Sequence, residues 1–253
     1  SAKVAAAGGR WLGLTAVLIR AVCTRGRVAA LGGLGAMAVA LGIAVRVSHH
    51  GGRAADVAYS VVDGYGLSLL VPVVALVLAS AALGDPAEDG TLVYLWLRPL
   101  ARWELALAAV AASLAVTVPM AVVPLVIAAA ATGAGGRLVG AAAAGAVIAA
   151  VAYTSVFCGL GLRVRRALAW GLAYLLIWEQ AVARISHGAA RASLFINARS
   201  VTAWLAGHAP PRNAVAPLTG VLFPTVVSVV AVALTARSLD RLSLIHISEP
   251  TRQ

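Results

Sequence analysis

The chain has 253 residues, 61% of them hydrophobic and 11% charged, with a formal net charge of +11. A soluble globular protein carries about 25% charged residues, so this composition cannot clothe a water-facing surface, and the membrane is the expected solvent. The basic excess reads as the flanks of hydrophobic spans, which set orientation and meet anionic headgroups, and not as a nucleic-acid surface.

Lys3 is the sole lysine among the 20 basic residues. That arginine bias, with high Ala, Gly and Val usage, is what a GC-rich bacterial genome produces. The two cysteines, Cys23 and Cys158, lie far apart in sequence and read as small apolar side chains, not as a disulfide framework. Ser1 in place of Met reads as a fragment start. The run from Leu242 to Arg252 resembles a translated sequencing-adapter read. Residues 242–253 are therefore set apart as a tail, and the native sequence is expected to end near Asp240 or Arg241.

Residues 1–27 interleave Lys3, Arg10, Arg20, Arg25 and Arg27 with Trp11, Leu12, Leu14, Val17, Leu18 and Ile19. This pattern predicts an interfacial helix leading into the membrane. A cleaved signal peptide fits less well, because Arg20 interrupts the apolar core and no small-residue cleavage site follows. The first span is expected at 28–45, with Gly32, Gly33, Gly35 and Gly42 allowing close helix contact. A polar loop with His49, His50, Arg53, Asp56 and Asp63 is expected from Arg46 to Tyr65. The adjacent histidines, with no third ligand nearby, read as loop and not as a metal site.

The second span is expected at 66–84 and the third at 105–131, kinked at Pro119 and Pro124. A fourth at 138–162, a fifth at 167–185 and a sixth at 218–236 complete an all-α, six-helix polytopic domain over 1–241. Residues 186–213 read either as a re-entrant helix pair or as an open external loop. With both termini inside, the inner side holds twelve basic residues and the outer side seven. The arginine bias therefore favours that orientation.

Between the second and third expected spans lies the most charged stretch, Asp85 to Glu104, with four of the nine acidic residues. Asp85 reads as an N-cap, Pro86 as a first helical residue and Glu88 as the partner closing a capping box. Gly90-Thr91 permits a bend, Leu92–Leu97 is apolar, and Arg98-Pro99 stops the run. Arg102 and Glu104 open the next helix. A short polar helix joined rigidly to two membrane helices can transmit a partner's movement as a rotation.

The order of an acid (Glu88), Gly90-Thr91, an apolar run, Arg98-Pro99 and a basic residue (Arg102) resembles the cytoplasmic coupling loop of ABC-2 type transporter permeases. Tyr174-Leu175-Leu176-Ile177-Trp178-Glu179, followed by a Ser-containing stretch, is a fainter similarity. The family's lysine in the opening turns of the third span is replaced here by Ala and Val. The resemblance implies a dimer of six-helix permease subunits in the bacterial cytoplasmic membrane, exporting a substrate between them. It also implies coupling to an ATPase subunit through Asp85, Glu88, Asp89, Gly90, Thr91, Arg98, Pro99 and Arg102. The chain has no G-x-x-x-x-G-K-[ST] loop, so ATP and Mg are expected in the partner, and the chain itself is expected to be neither an enzyme nor a cofactor carrier.

Glu179, within the fifth expected span, is a second candidate, since intramembrane acids are functional candidates. Its blander placement is near the outer interface, about a turn from Arg184 and reaching water. An ion-coupled secondary carrier using Glu179, or a non-transporting membrane protein, are the alternatives to an exporter. No internal repeat or catalytic constellation supports either.

Overall fold

The structure is a computed structural model that describes residues 13–48, 54–90, 101–182, 185, 187–211 and 213–247. Among the described residues the regular structure is entirely helical, with no strand. The first helix, α1 (Gly13–Val22), is short and apolar. Leu14, Leu18 and Val22 recur at helical spacing along one stripe and are buried against the bundle core. The chain breaks at Cys23-Thr24 and restarts as α2 (Arg25–Ser48).

The next element corrects the expected loop at 46–65. Helix α3 runs from Ala54 to Glu88, through a π-helical stretch Val61–Leu70. Asp56 and Asp63 made this segment read as loop, but both find partners within the fold and so remain in a helix. Asp56 bonds His208 at 3.1 Å, and Asp63 pairs with Arg199 at 2.9 Å. Residues 49–53, with His49 and His50, lie outside the described residues.

The helix start expected at Asp85 is also corrected. Asp85 and Pro86 lie inside the last turns of α3, which ends on Asp89, whose N–H donates to Asp85 O at 2.9 Å. A residue before proline avoids the helical region. Here the Asp85 carboxylate is held by Arg27 at 2.8 Å, which anchors it in the helix.

Helix α4 (Arg102–Ala131) begins at the expected place. Glu104 Oε2 accepts the Ala101 N–H at 3.2 Å, satisfying one of the donors left free at a helix start. The expected irregularity at Pro119 is a π-helical turn, Val118–Val122, and Pro124 opens the α-helical run that follows. Helix α5 (Gly136–Arg163) matches the fourth expected span.

The fifth expected span, 167–185, is described only in part. Helix α6 is described as Ala167–Ala173 continued in π form by Tyr174–Val182. Within it, Gln180 Nε2 donates to Ser68 O of α3 at 3.0 Å. Two short helices follow, α7 (His187–Arg191) and α8 (Leu194–Ala206). They replace the open-loop alternative for 186–213. The last helix is α9 (Pro217–Ile247), which includes Pro224 and extends into the segment set apart as a tail.

Five helices among the described residues, rather than six, are long and apolar enough to cross a bilayer: α2, α3, α4, α5 and the Pro217–Asp240 part of α9. The chain is a membrane-embedded helical protein. Helix α5 is central; α3, α8 and α9 pack around it, and α2 packs against the second half of α4. In lipid, helix association rests on close packing instead of on expulsion of water. A side chain at Gly161 of α5 would run into the Ser80 carbonyl of α3, and one at Gly42 of α2 into the Ala128 carbonyl of α4. Both contacts require a bare backbone.

Candidate functional site

Three polar groups stand out in this apolar bundle. The first lies where α2 begins and α3 ends. Arg27 Nη1 donates to Asp85 Oδ2 at 2.8 Å, with the side chains 25% and 44% exposed. The Arg166 N–H reaches Glu88 Oε1 at 3.5 Å. Arg166 itself takes a left-handed conformation, φ 62°, at the start of α6. Arg27, Ser80, Asp85, Glu88 and Arg166 lie, with mostly small apolar residues, around a small cavity of about 100 Å³. Asp89 and Gly90 follow, both exposed, and Gly90 turns the chain at φ +69°. Arg102 begins α4. Thr91, Arg98 and Pro99 fall outside the described residues, as does the apolar run between them.

These contacts place the start of α2, the end of α3 and the α5–α6 connection at one end of the bundle. Arg163 extends that end to α9, with Nε donating to Ser238 Oγ and Nη2 to Leu234 O, both at 2.8 Å. At the opposite end, Arg137 Nε donates to Leu205 O at 2.9 Å. There the Tyr59 and His208 rings stack with centroids 4.3 Å apart. Exposed tryptophans mark both ends, Trp170 and Trp103 on the first and Trp204 on the second, as interfacial belts do.

The second group is built on Glu179, and it corrects the expected interfacial placement. Glu179 is 0% exposed. Its carboxylate accepts from Tyr174 Oη at 2.7 Å, from Leu194 N at 3.1 Å and from Phe195 N at 3.3 Å. It also accepts from Ser193 Oγ. Ser193 is the N-cap of α8 and accepts the Ile196 N–H at 3.0 Å. The acid therefore sits on the positive end of α8, where backbone donors point out of the first turn.

The depth of this group follows from Tyr153 of α5, which lies within electrostatic reach of Glu179. Tyr153 is seventeen residues from the N-terminal end of α5 and ten from its C-terminal end, or about 25 Å and 15 Å at 1.5 Å per residue. Helix α8 thus begins deep in the bundle and runs outward to Gly207, whose φ of 71° closes its C-terminus.

The third group joins α3 to α8. Arg199 Nε meets Asp63 Oδ1 at 2.9 Å, with the side chains 27% and 12% exposed, and the guanidinium lies 5.8 Å from the Phe195 ring centroid. In sequence, Asp63 falls in the expected 46–65 loop and Arg199 in the 186–213 stretch, read as either a re-entrant helix pair or an open external loop. The local signal for α8 was present, since Ser193 at the N-cap and Gly207 at the C-terminal turn bracket a helix. The two cysteines are free, Cys158 buried and Cys23 partly so. Among the described residues no three His, Cys, Asp or Glu side chains gather as a metal site would require.

The fold and these polar groups define a multi-helix membrane-embedded protein with a deep half-helix. No protein-family model matches the chain, and a comparison with curated proteins finds no match.

Proposed function

We propose that the chain is the membrane-spanning permease subunit of an ATP-driven exporter of the ABC-2 type. It sits in the bacterial cytoplasmic membrane with the Asp85 end toward the cytosol, as a dimer with a second permease subunit. A separate ATPase subunit binds ATP and Mg and grips the 85–104 segment. The observation that carries this reading is the Arg27–Asp85 pair, at 2.8 Å. With the Arg166–Glu88 contact, it ties the acidic end of α3 to α2 and to the α5–α6 connection. A force applied to Asp89 and Gly90 would then move several membrane helices as a unit, which is what coupling to an external motor needs.

Glu179 favours this reading over an ion-coupled carrier. Its four donors hold the carboxylate as a helix cap, whereas a carrier must release and rebind its ion.

The experiment is reconstitution of the permease with a candidate P-loop ATPase, sought among the products of neighbouring genes. Glu88→Gln or Gly90→Val should abolish transport-linked ATP hydrolysis while leaving the protein inserted. ATPase association and activity that survive both changes would remove the coupling assignment.

A further inference from the structure

Two apolar crevices open on the flank of α5, one on each side of a ridge formed by Val156, Leu160 and Val164. One, of about 500 Å³, lies between the ridge and Trp170 and Tyr174 of α6. The other, of about 410 Å³, lies between the ridge and α9, with Val230 and Leu234 on its far wall. Both walls are hydrocarbon almost throughout, as acyl chains require.

The ridge ends in a basic crown. Arg163 lines the second crevice, and its two hydrogen bonds go to neutral oxygens, Ser238 Oγ and Leu234 O. Those bonds fix the guanidinium without neutralising it. Arg165 and Arg166 follow the ridge's last residue and are exposed. Trp170, 64% exposed, stands beside them, where an indole marks the boundary between acyl chains and headgroups.

We propose that this flank binds one diacyl anionic phospholipid astride the ridge, with an acyl chain in each crevice and its phosphate at Arg163 and Arg165. Paired crevices of similar size match a lipid with two chains. The cationic crown selects an anionic headgroup over a zwitterionic one, since each arginine near the surface contributes about 1 kcal/mol toward anionic lipid. A second copy of the chain fits less well, because a twofold contact would press the same arginine-crowned surface against itself. The inference needs only the membrane setting and not the ATPase.

The test is native mass spectrometry of the full chain in neutral detergent, titrated with dioleoyl phosphatidylglycerol or dioleoyl phosphatidylcholine. The wild type should retain one phosphatidylglycerol in preference to phosphatidylcholine. Arg165→Gln, at an exposed position, should weaken that retention roughly fivefold. Val230→Trp should fill the α9-side crevice and abolish retention, with the thermal transition reporting that the bundle still folds. Equal binding of the two lipids, or phosphatidylglycerol retained by Val230→Trp, would overturn the site. Efficient disulfide cross-linking of Val230→Cys to a second copy in membranes would also overturn it, giving the crevice to another protomer.

Discussion

The carboxylate of Glu179 accepts the backbone N–H of Leu194 at 3.1 Å, so that an acid on α6 caps the first turn of α8. Water is scarce at that depth, and the donors at a buried helix start have to be met by protein. Glu179 and Ser193 meet three of them, at Leu194, Phe195 and Ile196.

Removing that acid should loosen α8. Glu179→Ala leaves the Leu194 and Phe195 N–H groups without their acceptor, each at a cost of about 1–3 kcal/mol. Glu179→Gln retains an acceptor oxygen and should cost less. Thermal unfolding in detergent gives the ranking. Amide exchange at Leu194 and Phe195 should quicken in both variants, and unchanged protection there would show that the cap is not needed.

The Asp63–Arg199 pair offers a second test at the other side of α8. Asp63→Asn strands a largely buried guanidinium and should destabilise the fold by roughly 3–5 kcal/mol. Replacing both residues by apolar ones, Asp63→Leu with Arg199→Met, should cost much less, since a buried pair is seldom better than good packing. A denaturation series on the single and double variants checks this directly.

Two glycines of α5 should respond in opposite directions. Gly161→Ala places a methyl against the Ser80 carbonyl and should destabilise by about 1–3 kcal/mol through overpacking. Gly140 faces open space, and Gly140→Ala should stabilise the helix by roughly 0.5–1 kcal/mol. The sign of each shift in Tm is the readout.

Arg27 and Asp85 should matter more for coupling than for stability. Asp85 is 44% exposed, and exposed pairs contribute about 0.2–1 kcal/mol. Arg27→Asp and Asp85→Arg should each leave folding nearly intact while reducing coupled ATP hydrolysis, and the double exchange should restore it. Single variants with wild-type coupling would remove the pair from the mechanism.

Hydrophobic run length made most of the bundle legible in advance. α2, α4, α5 and the membrane part of α9 lie close to their expected ranges, because a span of about 20 apolar residues has few other fates. The misread regions share one cause. Asp56 and Asp63 looked like loop residues because His208 and Arg199, their partners, lie far away in sequence. Asp85-Pro86 carries the signature of a helix start, yet an arginine from α2 holds Asp85 within a helix already under way. Glu179 was legible as an intramembrane acid, but not its depth, because that depends on α8 turning back into the bundle to meet it. A sequence reports local preference, and here distant polar pairing overrides it.

The coupling proposal depends on the acidic end of α3 facing the cytosol. The direct measurement is thiol labelling of Asp89→Cys in intact cells, with Cys23 and Cys158 replaced by Ser and Ala209→Cys as the opposite-end control. A membrane-impermeant maleimide should label position 209 in intact cells, and position 89 only after the membrane is opened. Labelling of position 89 from outside intact cells would contradict the proposal.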